Sequence, residues 1–133
     1  MAISFESALG IHEKALHIRA KRAEVLANNL TNADTPGFKA RDIDFKSILR
    51  GQMSASSQRM VATNSRHFSA GATDMVSPEL LYRNPLQPSL DGNTVEEQVE
   101  MSRFAQNTMD FQASFQMLNG KFKGLQNAIK GDI

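Results

Sequence analysis

Three histidines are the side chains whose type and spacing could support metal binding. His12 and His17 lie five residues apart in a segment with helical periodicity. On an α-helix this spacing turns one ring about 140° away from the other, whereas two zinc ligands on one helix are normally four residues apart. His67 lies beside Phe68 with no run of carboxylates nearby. We therefore predict no metal site.

Three glutamates could support acid–base chemistry, because Glu96, Glu97 and Glu100 crowd the start of a predicted helix. Carboxylates at that position are stabilised by the helix dipole, which accounts for them without a catalytic pair. The chain has no cysteine, so disulfides, thiol nucleophiles and cysteine-ligated metals are excluded. A glycine-rich phosphate loop and a G-x-S-x-G motif are also absent. We predict that the protein is not an enzyme and uses no cofactor or small-molecule substrate.

The composition predicts one domain that does not bind nucleic acid. Charged residues are 22% of the chain and the net charge is +1, whereas nucleic-acid binding usually requires a basic excess. A local cluster of basic residues alternates with glutamates, so we interpret it as a solvated face or an intersubunit contact. The cluster comprises Lys14, Arg19, Lys21 and Arg22.

No stretch approaches the ~20 apolar residues of a membrane span. Residues 1–6 lack the basic start and apolar core of a secretory signal. We expect a cytosolic protein, or one that is exported without a cleaved signal.

The N-terminal segment, residues 4–32, predicts a long helix with two apolar rows. Leu9, Leu16, Ala23 and Leu30 repeat every seven residues, as in a coiled coil. A second row points almost the opposite way and consists of Ile11, Ile18 and Val25. An ordinary surface helix has one apolar face and one polar face. A helix with two apolar rows must bury both.

The C-terminal segment, residues 94–130, repeats this pattern. Two offset heptad series form its main apolar seam; they contain Met101, Thr108, Phe115, Phe122 and Ile129, and Phe104, Phe111, Leu118 and Leu125. The opposite side carries Val95, Val99, Met109, Ala113 and Met117, followed by Gly120 and Gly124. Small residues there favour close approach of another backbone.

These patterns predict a mainly α fold, in which two long terminal helices pack as an antiparallel coiled-coil pair around an irregular middle segment with little β structure. We divide the chain into an N-terminal helix and turn (1–38), a middle segment (39–92) and a C-terminal helix (93–133). The predicted intrasubunit seam is Leu9, Leu16, Leu30, Phe104, Phe111, Phe115, Leu118, Phe122 and Leu125. The predicted intersubunit stripe is Ile11, Ile18, Val25, Val99, Met109, Ala113 and Met117.

A chain with no third long helix cannot cover both outer stripes by itself. We therefore predict assembly with other molecules, and a monomer that is partly disordered until it assembles. The alternative is that each double row is a broad core face of an ordinary helical bundle.

Local signals predict where the elements begin and end. The first helix should end near Thr31, and Pro36 and Gly37 suit the centre of a type II turn in which glycine takes a positive φ. A short helix over residues 42–50 would be capped by Asp42. Residues 53–58 suggest a flexible link, residues 59–63 a short strand, and the rest of residues 51–92 loops with at most a hairpin. Thr94 should cap the last helix, with Gly131 as its stop.

Residues 27–41, A-N-N-L-T-N-A-D-T-P-G-F-K-A-R, resemble the N-terminal signature of the bacterial flagellar rod and hook proteins. Within that family, residues 40–45, 80–83 and 87–95 are most similar to the proximal rod subunit. The matching signature residues are Asn28, Asn29, Asn32, Thr35, Pro36, Gly37 and Phe38. We expect the asparagines to hydrogen-bond backbone at the helix end, and Pro36 with Gly37 to set the direction of the leaving chain.

The resemblance implies a structural subunit of the flagellar basal-body rod. Its terminal helices would polymerise and line a tube around the export channel, and its partners would be copies of itself, other rod proteins, the rod-adapter protein, the MS ring and the export gate. It implies a periplasmic rod location, reached through the flagellar type III system. The rival hypothesis is a soluble helical adaptor or chaperone that binds one partner helix, which predicts a well-folded monomer in a closed one-to-one complex.

Overall fold

The computed structural model describes residues 9–57 and 79–131. In chain order the elements are α1 (Ile11–Thr31), β1 (Arg41–Ile43), α2 (Phe45–Ser57), β2 (Leu80–Tyr82) and α3 (Glu97–Lys130). The described chain is mainly helical with little strand, as the periodicity predicts. None of these helices combines the length and apolar character that crossing a bilayer requires.

Helix α1 begins later than predicted. Gly10 has a φ of 57°, outside the range of a right-handed helix, and α1 starts at the next residue. The predicted uninterrupted helix from residue 4 is therefore wrong at Gly10, and residues 1–8 lie outside the described part. The predicted end is confirmed, since α1 ends at Thr31 and the Asn32 N–H donates to the carbonyl of Asn29 at 3.1 Å.

Helix α3 is 34 residues long, or about 51 Å at 1.5 Å per residue. The predicted cap at Thr94 is wrong: Glu96 is the capping residue, without a side-chain hydrogen bond. The Thr94 hydroxyl instead accepts a hydrogen bond from the N–H of Ala40 at 2.7 Å, so it is engaged in a long-range contact and does not cap the helix. The predicted stop is confirmed, because Gly131 is left-handed with φ 73° and donates to Asn127 O.

The middle segment contains a long-range strand pair. β1 and β2 are antiparallel, with Asp42 opposite Leu81 in register. The hairpin that the sequence allows within residues 51–92 stays a prediction, since residues 58–78 lie outside the described part. Helix α2 starts after Asp44, whose carboxylate accepts the N–H of Ser47 at 3.1 Å. Asp44 therefore caps this helix in place of Asp42. Residues 53–57 continue α2 where a flexible link is predicted, and the predicted strand at 59–63 lies outside the described residues.

Helix α1 is the central element, because α3, β1 and α2 all pack against it. Its contacts with α3 run in opposite order along the two helices: Asn29 meets Glu100, and Arg19 meets Asp110. Among residues 9–57 and 79–131 the apolar core is small and consists of Ala15, Ile18, Leu26, Ala40 and Ile43. Four polar residues of the same ranges are also buried, namely Asn29, Asn93, Glu100 and Asn107.

Candidate functional site

The end of α1 is closed by its own side chains. Asn32 Nδ2 and Thr31 Oγ1 donate to the carbonyl of Asn28 at 2.8 and 2.9 Å. The last carbonyls of a helix have no intrahelical partner, so these bonds replace the missing ones. The expected role of Asn32 is thereby confirmed, whereas the Asn28 side chain is exposed and contributes its backbone carbonyl.

Asn29 fastens β1 to α1. Its Nδ2 donates to the carbonyl of Arg41 at 2.7 Å, and its Oδ1 accepts the N–H of Arg41 at 3.1 Å. The side chain therefore satisfies both backbone groups of one strand residue, as a neighbouring strand would. The same Nδ2 lies 3.0 Å from Glu100 Oε2 on α3. This buried residue joins the signature turn, defined here as residues 28–38, to two other elements.

The turn around Pro36 and Gly37 has the predicted form. Phe38 N–H donates to the carbonyl of Thr35 at 3.3 Å, which places Pro36 and Gly37 at its centre. Gly37 has a φ of 73°, so the predicted positive φ is confirmed. Phe38 itself is half-buried.

Residues 91–94, which precede α3, form hydrogen bonds with the signature turn. Asn93 is buried, and its Nδ2 lies within 3.1 Å of the carbonyl oxygens of Asn32, Ala33 and Thr35. Two backbone bonds run alongside, from Gly37 N–H to the Asp91 carbonyl and from Thr94 N–H to the Phe38 carbonyl, both 3.0 Å. The site residues predicted from the sequence do not include Asn93. The only sequence signal for Asn93 is that it lies in residues 87–95, one of the motifs that carry the family resemblance.

We expect Gly37→Val to destabilise the subunit by about 1–3 kcal/mol, because a β-branched residue resists positive φ. A Cβ at Gly37 would meet no atom within 4 Å, so the cost is conformational and not steric. Gly37→Asn is the matched control, since asparagine tolerates the left-handed region. Urea unfolding followed by circular dichroism measures the difference. Equal stability of the valine variant and the parent protein would contradict this account of Gly37.

A partly buried ion-pair network joins α1, the strand pair and α3. Arg22 on α1 makes a bidentate contact with Asp42 on β1, at 2.9 and 3.0 Å. Arg83, directly after β2, donates to Asp42 Oδ2 at 2.8 Å and also to Glu100 on α3. Two guanidinium groups thus face two carboxylates, and the network is neutral overall. It links α1, the strand pair and α3 at one point.

The network corrects two interpretations of the sequence. Glu100 is 1% exposed and is held by Arg83 and Asn29, so the helix dipole does not account for it. Glu96 also has another role, because its Oε1 accepts the N–H groups of Leu86 and Gln87. Neither effect is visible in local sequence, since both depend on partners from other segments.

The basic cluster of α1 lies largely within the subunit, which corrects its interpretation as a solvated or intersubunit face. Arg19 donates to Asp110 at 2.7 Å and to Ser114 at 3.2 Å, and its guanidinium lies 4.1 Å from the Phe45 ring centroid. Lys14 donates to Gln52 on α2. Lys21 fits the solvated interpretation, since its partner Glu24 is exposed on the same helix.

The network shifts the pKa values of Asp42 and Arg22. Burial alone raises the pKa of Asp42, but the hydrogen bonds from Arg22 and Ile43 and the charges of Arg22 and Arg83 outweigh it. The pKa of Asp42 therefore lies below its ordinary value. The hydrogen bond to Asp42 raises the pKa of Arg22 in turn.

This direction predicts a loss of stability in acid. Because the pKa of Asp42 is lower in the folded than in the unfolded chain, its contribution is complete above the unfolded value of about 3.9. The contribution is lost as the pH falls through the folded value. We expect the thermal midpoint of Asp42→Asn to fall less steeply than that of the parent below about pH 4. Calorimetry across pH measures this, with Asp34→Asn at an exposed turn position as control. Equal steepness in Asp42→Asn and the parent would refute it.

The residues of the predicted intersubunit stripe differ in how deeply the structure buries them. Ile18 is 1% exposed and lies in the core of the single chain, so its assignment to a contact between subunits is wrong. Ile11, Val25 and Val99 are half-buried. The residues of the stripe that are exposed on α3 are Met109, Ala113 and Met117.

The residues of the predicted intrasubunit seam also differ in burial. Leu9, Leu16 and Leu30 are half-buried, as are Phe111, Leu118 and Leu125. Phe104, Phe115 and Phe122 are exposed, so the structure does not bring them into a closed seam with α1. The buried face of α3 instead carries Glu100 and Asn107, which lie beside the apolar row rather than within it.

Comparison with known proteins supports one family. Residues 9–39 match the family model described as flagella basal body rod protein. The chain is 48% identical over 134 residues to the flagellar basal body rod protein FlgB of Aeromonas hydrophila, with 99% of both chains covered. It is 44% identical over 135 residues to FlgB of Escherichia coli K12, with 98% of both covered. FlgB of Cereibacter sphaeroides is 46% identical over 128 residues, with 96% of this chain covered. The chain therefore belongs to the FlgB family of flagellar basal body rod proteins and is a structural subunit of the flagellar rod.

Proposed function

We propose that this rod subunit polymerises through the exposed apolar side chains of α3. The observation that carries this proposal is the number of large apolar side chains that α3 leaves in solvent. They are Met101, Phe104, Met109, Phe115, Met117, Phe122 and Ile129. At 100° per residue, five of them share one face of α3, whereas Met109 and Met117 lie on the opposite side. A large exposed apolar surface marks an interaction site. The five-residue face is too long for one small partner, since it spans residues 101–129, or about 42 Å of helix.

In the assembled rod, α1 and α3 stay paired antiparallel and form the inner helical part, from residues 1–38 and 93–133. Residues 39–92, which include the strand pair and α2, form the outer part. Two observations support this division: α3 contacts α1 directly, and the strand pair and α2 pack against α1. The half-buried leucines and phenylalanines of both helices complete a coiled-coil seam when neighbouring copies cover them.

The partners in this proposal are copies of the chain and other rod proteins, together with the rod-adapter protein, the MS ring and the export gate. Stacking of identical subunits through unlike surfaces does not close on itself and builds a tube. The role is mechanical, with no catalysis. The subunit leaves the cell through the flagellar type III system, and its small apolar core lowers the free energy that unfolding for export requires.

Phe115→Asp tests the proposed face, because Phe115 is 56% exposed in the single chain. We expect unchanged helical content in the purified full chain, but no swimming and no rods in cells whose only copy is the variant. Gln98→Asp, at an exposed polar position before the proposed face begins, should swim normally.

Normal rods with Phe115→Asp would show that this face is not used. A closed one-to-one complex of the parent chain with a single helical partner, without elongated assemblies, would favour an adaptor instead.

A further inference from the structure

The contact between α1 and α3 is polar along one row of α3. Glu100, Asn107 and Ser114 repeat every seven residues, and we call this row the polar seam. Asn29 lies 3.0 Å from Glu100, and Asn107 Nδ2 donates to the carbonyl of Arg19 at 3.0 Å. Ser114 Oγ accepts from Arg19 Nε at 3.2 Å. Glu100 therefore contacts Asn29, whereas Asn107 and Ser114 both contact Arg19, one at its backbone carbonyl and the other at its side chain.

The polar seam is not arranged for maximal stability. Asn107 is 1% exposed, and its Oδ1 has no hydrogen-bond partner among the described residues. A buried amide oxygen without a partner costs more than the single bond on the other side of the amide returns. Apolar side chains that could fill this contact are present on the same helix, yet Phe104 is 37% exposed and Phe115 is 56% exposed. The seam therefore has a role other than strengthening the pair.

We propose that the polar seam fixes the axial register of α1 on α3, with Asn107 as the register-setting residue. Apolar rows that repeat every seven residues form similar contacts after a slip of one heptad, so they define register poorly. The polar contacts do not survive such a slip. It takes Glu100 away from both Asn29 and Arg83, and Asn107 away from the Arg19 carbonyl.

The surrounding charges favour the observed register. Arg22, one heptad before Asn29, would otherwise be an alternative partner for Glu100 in a slipped pair. It is instead held by Asp42 in a bidentate contact. Glu100 and Asn29 also contact the strand region, whereas the side-chain bond of Asn107 goes to the backbone of α1. A substitution of Asn107 therefore tests the register of the helix pair without removing a contact to the strand region. A single buried asparagine sets register in coiled coils at a cost in stability.

Distance measurements on the purified full chain test this inference. The chain lacks cysteine, so spin labels attached through Glu13→Cys and Ser102→Cys report one distance between exposed sites on α1 and α3. These sites are offset by about 21 Å along the helix axis, so their distance is sensitive to an axial slip. We expect a single narrow distribution in the parent. Asn107→Leu should add a second population in which this axial offset changes by about 10 Å, the length of one heptad. Its melting midpoint should rise by about 4 °C, because the unpartnered oxygen is removed.

Two controls make the result specific. Gln106→Leu adds the same side chain at the exposed neighbouring position and should leave the distance unchanged. Asn107→Ala removes the amide without adding bulk and should also broaden the distribution. A single parental distance in Asn107→Leu overturns the inference, and so does a broad distribution in the parent. Loss of helical signal in Asn107→Leu, or broadening with leucine but not with alanine, overturns it as well, since bulk would then be the cause.

Discussion

Glu100→Ala should cost the subunit about 2–3 kcal/mol of unfolding free energy, because it breaks a buried hydrogen-bond and ion-pair contact while Arg83 keeps Asp42 as a partner. Glu100 is 1% exposed, and the Arg83 side chain that it binds is 17% exposed. Alanine leaves that guanidinium with Asp42 alone and deprives Asn29 of its contact on α3. Such a loss is a large part of the 5–15 kcal/mol that stabilises a typical domain.

Urea unfolding of the full chain, followed by far-ultraviolet circular dichroism, measures this loss. Glu97→Ala is the matched control, because Glu97 is an exposed glutamate on the same helix and should change stability by less than about 0.5 kcal/mol. The double variant Glu100→Ala with Arg83→Ala should cost less than the sum of the single changes, since each removes the same contact. Additive losses would show that the two residues do not act together.

Ile18→Asp is expected to unfold the subunit, with a loss of at least about 4 kcal/mol. Ile18 is 1% exposed beside Ala15 and Leu26 in the small core, so an aspartate there would be a buried charge without a partner. The apolar periodicity alone predicts the opposite, a folded variant that fails only in assembly. The two expectations are separated by the helical signal and melting curve of the purified variant.

Met117→Asp is the informative counterpart, since Met117 is 61% exposed on α3. It should leave the free energy of unfolding within about 0.5 kcal/mol of the parent and still abolish swimming in cells that carry only this copy. A folded Ile18→Asp subunit that fails to assemble would return Ile18 to the intersubunit stripe. Normal swimming with Met117→Asp would remove Met117 from it.

The sequence by itself determined the features that depend on neighbouring residues. The end of α1 near Thr31, the positive φ of Gly37 and the stop at Gly131 follow from turn chemistry and glycine conformation, which act within a few residues. The helical character of both ends follows from periodicity sustained over many turns. The signature residues likewise indicated the rod family, which comparison over nearly the whole chain confirms.

Only the tertiary structure decided which helix faces are buried and what fills them. Glu100 becomes a core residue because Asn29, 71 positions away in sequence, and Arg83 bring it the bonds that offset its desolvation. Thr94 leaves its expected cap because Ala40 supplies another donor. Periodicity locates apolar rows but cannot identify their partners, whereas a polar side chain can be buried only where distant groups satisfy it. For this reason Ile18 is buried within the subunit and Phe115 is exposed. The polar seam occupies the contact with α1 that hydrophobicity alone assigns to phenylalanine.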